Sequence, residues 1–283
     1  LEEFFPGRNE IKRLLLEPIS YANGSSLVDP AIAYGIVFSN FMKKGIYTFK
    51  DGTDSLIKKM VKELRNNGAD LRRQCLVEEV VTNKVDKKHT VEGVVVNGKK
   101  IRCGAVLSNA NLKNTIEKLF GLSKLPKEFA DQAKSVRLNS TSCQVYIGLK
   151  KGVSIPDVGD LIFTSESPSF STDELTDFHT TSRTFSVYYP DTRPDRTEPR
   201  YSIVASINAK WQDWQKLADE DYAQAKNRLC EESVVALEKI IPDIRDKIDH
   251  LEAATPRTIQ HYTHHASGAS FGTKFEGLDV SSH

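Results

Sequence analysis

The stretch Val91-Glu-Gly-Val-Val-Val-Asn-Gly-Lys-Lys-Ile-Arg-Cys-Gly-Ala-Val-Leu107 sets two apolar, β-branched runs on either side of Asn97-Gly98. Asn-Gly readily takes the successive positive φ angles of a tight hairpin turn, so 91–96 and 101–107 are expected as antiparallel neighbours. Upstream, 76–81 has the same composition and completes a small meander. Before it, Leu56, Ile57, Met60, Val61 and Leu64 recur at helical spacing between a capping Asp54 and the stop signal Asn66-Asn67-Gly68. After it, Asn109-Ala-Asn111 ends the third strand and can cap a helix through Ile116 and Leu119 to Phe120, closed by Gly121.

The flanks extend this order. Residues up to Lys44 read as short helices broken at Pro6, Pro18 and Pro30. In 141–149, Cys143, Val145, Ile147 and Leu149 alternate with polar or small residues, the pattern of a strand with one buried face. Further strands are expected at 161–164, 184–188 and 201–207. The Ser, Thr and Asp-rich segment 165–182 reads as a loop that could cover a site. A long helix is expected over 219–240, with Tyr222, Ala225, Leu229, Ser233, Ala236 and Ile240 on one face and Pro242 ending it. The fold class is therefore α+β: a mixed or antiparallel sheet with packed helices.

Composition bounds the function. With 283 residues and an apolar share of 39%, the chain can fill a core of one large or two ordinary domains. A net charge of +1 with both signs interspersed gives no basic stripe, so nucleic acid is excluded as a partner class. Cys75, Cys103, Cys143 and Cys230 lack metal-ligand spacing and read as core or strand thiols in a reducing compartment. No apolar run approaches the roughly 20 residues of a membrane-crossing helix, and no leader is seen.

The run Gly45-Ile-Tyr-Thr-Phe-Lys-Asp-Gly-Thr-Asp-Ser-Leu56 is followed by Val77-Glu-Glu-Val80, Val91-Glu-Gly-Val94 and Val106-Leu-Ser-Asn-Ala110. Farther on come Ser140-Thr-Ser142, Ala209-Lys-Trp-Gln-Asp-Trp214, Leu237-Glu-Lys-Ile-Ile-Pro242, Thr255-Pro-Arg-Thr-Ile-Gln-His-Tyr262 and Gly268-Ala-Ser-Phe-Gly272. This order, over nearly the whole chain, resembles the phytoene desaturase, carotenoid isomerase and retinol saturase group of flavoproteins. The resemblance implies FAD as cofactor and places Gly52, Val77, Asn109, Gly268 and Gly272 near it. It implies that His261 or Tyr262 faces the flavin side of a substrate tunnel, and allows Trp211 and Trp214 as a tunnel wall. No catalytic side chain is assigned, since the flavin would carry the electron chemistry. Each residue also has a local reading. Val77 equally suits an ordinary strand, Thr255 with Pro256 a helix cap, the two glycines a surface turn, and the tryptophans core packing.

Two departures from the group's pattern stand out. Asp51-Gly52 replaces two adjacent glycines, and a carboxylate there would repel flavin phosphates. The glycine-rich loop Gly-x-Gly-x-x-Gly and the group's later Gly-Asp segment are absent, so no helix N-terminus is expected to hold a pyrophosphate. Because the sequence begins at Leu1, it reads as the interior of a longer flavoprotein, a truncated piece expected to bind FAD weakly or not at all. The expected division is 1–44 as a helical part of the substrate domain, 45–136 as a strand-rich portion beside an incomplete FAD-binding domain, 137–254 as the substrate sheet, and 255–283 as a return toward the flavin.

Other chemistry is thinner. His261, His264 and His265 cluster without a Cys or carboxylate at ligand spacing, so no metal is expected. No nucleophile elbow supports hydrolysis. The implied substrate is an apolar carotenoid- or retinoid-like polyene, altered by desaturation, saturation or isomerisation. The chain is expected in a cytoplasmic or plastid-like compartment. Phe38, Phe41, Met42, Lys43 and Lys44 are a candidate patch for a membrane surface. Two alternatives remain open: a flavin-free module that binds an apolar ligand, and an amine-oxidase-like flavoenzyme. Oligomeric state is not legible.

Overall fold

In the computed structural model, Asn97 (φ 48°) and Gly98 (φ 73°) make the expected turn between β2 (Lys88–Val96) and β3 (Lys99–Arg102). With β1 (Val77–Val85) they form a three-stranded antiparallel meander in the order β1-β2-β3. The structure describes residues 2–23, 35–36, 39–40, 43–45, 47, 49, 52–85, 88–167, 171–192, 200–270 and 272–274. Asn97 also ties the turn backward, accepting from the Leu76 N–H at 3.1 Å and donating to the Gln74 carbonyl at 3.0 Å. Gly93 is required where β2 meets β3, because a Cβ there would lie 2.2 Å from the Ile101 carbonyl oxygen. The third strand is shorter than expected: it stops at Arg102, near Gly104, which offers no side chain to pack, and Leu107 is exposed.

Two helices precede the meander in the sequence. α1 (Asn9–Asn23) runs through Pro18, which therefore does not break it as the sequence led us to expect. Leu14, whose carbonyl loses its partner to the proline, is on the solvent side. α2 (Gly52–Asn66) starts at Gly52, so Asp54 lies in the first turn and pairs with Lys58 at 2.6 Å instead of capping the helix. Its end is the expected glycine stop, with Gly68 at φ 79°, the Gly68 N–H on the Arg65 carbonyl and the Ala69 N–H on the Leu64 carbonyl. Beyond the meander Asn111 starts the next helical segment, which is a π-helix over Asn114–Gly121 where an α-helix is expected. α3 (Lys127–Ser135) follows.

The second sheet is antiparallel in the order β5-β6-β7-β4-β8. Its strands are β4 (Thr141–Leu149), β5 (Leu161–Thr164), β6 (Arg183–Tyr188), β7 (Ser202–Ala209) and β8 (Ile248–Ala254). The first four match the strand pattern, while β8 was not expected. Alternation turns Cys143, Val145, Ile147, Phe185, Val187, Ile203, Ala205 and Ile207 to one face, where all are buried. The register sets Ala205 between Val145 and Phe185, a small residue beside a large one. That face is covered by α6 (Asp219–Glu238), which follows α4 (Thr172–Leu175) and α5 (Trp211–Gln215) and precedes α7 (Ile244–Lys247). α6 presents Ala225, Leu229, Ser233, Val234 and Leu237 to the core. Of the cysteines, Cys143 is core and Cys230 half-buried on α6, but Cys75 is exposed just before β1, contrary to expectation.

Candidate functional site

The return segment begins at Thr255, which follows β8 and caps α8 (Pro256–Thr263). The Thr255 hydroxyl accepts from the Thr258 N–H and the Thr258 hydroxyl from the Thr255 N–H, with proline at the first helical position. Thr255 is fully buried, and its hydroxyl lies 2.8 Å from the Tyr222 hydroxyl. The Arg257 guanidinium sits 4.2 Å over the Tyr222 ring, and Trp214 meets Tyr222 and Phe178 edge-on. Trp214 is thus a core side chain, while Trp211 is half-buried. Thr-Pro-Arg-Thr is an anchor, pinned from α6 below and capped from within.

After the anchor the chain turns sharply. His264 ends α8 at φ 56°, Ser267 follows at 54° and Gly268 at 55°. The His264 carbonyl accepts from the Asn114 amide, and His265 Nδ1 lies 2.8 Å from the Ala269 carbonyl. Gly268 is buried with its carbonyl accepting from the Thr141 hydroxyl, and a Cβ there would lie 2.3 Å from the Pro256 carbonyl oxygen. Ser270 meets Ser142 hydroxyl to hydroxyl at 2.9 Å, and the Gly272 carbonyl accepts from the Asn139 N–H at 2.9 Å. The return therefore runs beside 137–142, at the start of β4. Gly272, at φ 74°, has open space where its Cβ would be.

The Asn114 amide on the His264 carbonyl ties the segment that follows Asn109 to the return, four residues before Gly268. Asn109 itself is exposed; its neighbour Asn111 is buried and accepts from the Asn114 N–H at 3.3 Å, starting the segment whose Asn114 holds His264. Gly52 opens α2 at φ 75°, and Val77 opens β1 opposite Val96. β1 packs on the π-helix, so Val77's strand joins the return segment through Asn114. His261 and Tyr262 are exposed on α8. Phe38, Phe41 and Met42 lie outside the described residues, as does Asp51. Among the described residues no three His, Cys, Asp or Glu side chains converge on a metal position. Burial pushes the Cys143 thiol up, away from thiolate chemistry.

Glu166, His179 and Thr181 border a cavity of about 390 Å³ that is also lined by Arg183, by Val235 and Ala236 of α6, and by Lys239 and Ile240 just past its end. Burial pulls the Arg183 guanidinium down and Glu232, at 2.7 Å, partly restores it. Ser233 and the Thr180 carbonyl complete its partners.

The chloroplastic prolycopene isomerase of Daucus carota is 24% identical over 247 residues, which are 86% of this chain and 39% of that protein. The all-trans-retinol 13,14-reductase of Danio rerio is 24% identical over 297 residues, covering 94% of this chain and 47% of that protein. The chain thus spans less than half the length of these curated relatives. The solved structure of an oxidoreductase from Methanosarcina mazei superposes with a TM-score of 0.54 at 14% identity, over 86% of this chain and 52% of that one, a likeness of fold. The profile of flavin containing amine oxidoreductases matches residues 1–235, more than half of the chain, which therefore belongs to that family.

Proposed function

We propose that this chain serves a longer FAD-dependent oxidoreductase or flavin-dependent isomerase acting on a carotenoid- or retinoid-like polyene. The observation that carries the reading is the return segment: Thr255 and Gly268 are pinned by the protein's own backbone, while Gly272 leaves open space on its Cα where a flat ring can approach. On this reading an isoalloxazine ring lies against the open Cα of Gly272, whereas Gly268, filled by Pro256, serves the turn and not the ring. When bound, the flavin supplies the hydride and electron chemistry. The chain's own part is to position and exclude water, and no strong side-chain base is called for. The names of the isomerase and the retinol reductase support a polyene as substrate.

Service within a longer protein is supported by the relatives' coverage and by the apolar face of α2, where Ile57, Met60 and Leu64 are all exposed. On this reading the chain alone retains flavin weakly. A substrate that dissolves in bilayers makes a membrane surface a natural partner, although no helix of the described residues is long and apolar enough to cross one. The family's description favours one competing reading, oxidation of an amine with release of peroxide.

The test is the absorbance spectrum of the complete protein and of this chain after loading with FAD and desalting. Flavin in the complete protein and loss from the chain is the expected result, followed by anaerobic conversion of a polyene without peroxide. A colourless complete protein would sink the flavoenzyme reading, and peroxide formed with a primary amine would move it to amine oxidation.

A further inference from the structure

Asn97-Gly98 carries chemistry beyond its turn. In an asparagine followed by glycine, no side chain shields the next backbone nitrogen, so the Gly98 nitrogen can close on the Asn97 side-chain carbon. Here both reactants are held by other groups. Asn97 makes three hydrogen bonds to the residues before β1: its N–H donates to the Leu76 carbonyl at 3.2 Å, its Oδ1 accepts from the Leu76 N–H at 3.1 Å, and its Nδ2 donates to the Gln74 carbonyl at 3.0 Å. The Gly98 N–H donates to Glu78 Oε2 at 2.9 Å. Glu78 is the extra residue of a bulge in β1, with Val77 opposite Val96 and Glu79 opposite Val95, and its carboxylate is thereby free of the ladder to reach the turn. Pairing of Val96 with Lys99 closes the turn from below. The site is nonetheless open to water: Asn97 and Gly98 are exposed, and nothing lies within 4 Å of where a Gly98 Cβ would stand.

We propose that Asn97 is a gated self-modification site, which deamidates only while residues 74–76 and Glu78 are released from the turn. In the reaction the Gly98 nitrogen bonds to Asn97 Cγ, the bond from Cγ to Nδ2 breaks, and the Gly98 proton leaves on that nitrogen as ammonia. Water then opens the cyclic imide: its hydroxyl joins either carbonyl carbon and its other hydrogen returns to the nitrogen, leaving an aspartate or an isoaspartate. Water is the sole co-reactant. Neither product can rebuild the clamp. A carboxylate has no hydrogen to give the Gln74 carbonyl and sets oxygen against oxygen there, and an isoaspartate adds a carbon to the backbone between Val96 and Lys99. The change is therefore one-way, and it frees the residues that lead into Val77. None of it requires a flavin.

The experiment incubates the full chain in mildly alkaline buffer, with and without guanidinium chloride, and follows amide-to-acid conversion in the tryptic peptide 89–99 by mass. Conversion in buffer should run at least about tenfold slower than in denaturant, since it passes through the opened fraction alone. Glu78→Ala, at an exposed position, frees the Gly98 N–H and should speed the reaction in buffer about threefold or more while leaving the rate in denaturant unchanged. Asn97→Asp stands in for the product. It should be cut by trypsin after Arg73 severalfold faster than the wild type, while cutting after Lys151, in the turn that follows β4, holds its rate. Equal wild-type rates in buffer and denaturant overturn the gate, and this comparison needs no variant. A native Glu78→Ala rate equal to the wild type's removes Glu78 from it and overturns the proposal as stated. An Asn97→Asp chain cut no faster after Arg73, or cut equally faster after Lys151, overturns the local release of 74–76.

Discussion

The five-stranded sheet and the meander with α2 differ in how they dispose of their apolar residues. In the sheet, Phe185, Ile147, Leu149, Ile203 and Trp214 are all but fully buried against α6 and its neighbours. On α2 no residue is buried, and Leu107 beyond the meander is wholly exposed. Both have amphipathic patterns, so the pattern reports that a face wants a partner and not where the partner comes from. The sheet closes its own core, and the apolar face of α2 awaits contacts that the described residues do not provide.

The largest expected effect tests that contrast directly. Trp214→Ala should cost about 3–5 kcal/mol in urea unfolding, since it empties the space under Phe178 and Tyr222. Met60→Ala and Leu64→Ala on α2 should each change stability by less than about 0.5 kcal/mol. A loss above about 1.5 kcal/mol at Leu64 would show the α2 face to be buried and abolish the contrast.

Glycines sharpen the same comparison inside the return segment. Gly268→Ala combines a left-handed φ with a Cβ 2.3 Å from the Pro256 carbonyl oxygen, and should cost about 2–4 kcal/mol. Gly272→Ala carries the backbone strain alone, about 1–2 kcal/mol, because its Cβ enters open space. Equal losses at the two positions would mean that packing against Pro256 does not distinguish them.

These contrasts mark how far the sequence could be read. The hairpin was legible because Asn97-Gly98 is local chemistry, and β4 because Cys143, Val145, Ile147 and Leu149 keep a strict alternation. β8 was not: Ile248-Asp-His-Leu-Glu-Ala-Ala254 lacks a run of β-branched residues, and its strand form is imposed by pairing with β4. Its charged side chains suit an edge strand. At the site, the Thr255-Pro256 cap was readable from two adjacent residues. The reason Gly268 must be glycine was not, since it lies in the approach of the loop to the first turn of α8. Asn111 was masked by Asn109: both are cap-forming types, and only the geometry shows which is buried with its side chain on the helix N-terminus.

The anchor should respond less strongly than Gly268. Thr255→Ala removes the cap and the partner of the Tyr222 hydroxyl, and should cost about 1–2 kcal/mol. Thr255→Ser keeps the oxygen and should recover most of that loss. A serine variant as unstable as the alanine one would place the threonine's worth in its methyl group and not in the cap.

The smallest effect is a gain, and it falls at the joint between the two regions. His264 ends α8 in the left-handed conformation, its side chain exposed and its carbonyl held by Asn114 from the meander side. A left-handed L-residue carries about 1–2 kcal/mol of strain, whereas glycine is strain-free there and loses about 0.5–1 kcal/mol more entropy on folding. His264→Gly should therefore stabilise the chain by about 0.5–1 kcal/mol, while His264→Ala keeps the strain and should gain nothing. The carbonyl that meets Asn114 is unchanged by either, so the two substitutions separate strain from the contact that joins the regions. Destabilisation by glycine would mean that the imidazole contributes more than the backbone strain withdraws. The joint would then be held by a side chain and not by the shape of the turn.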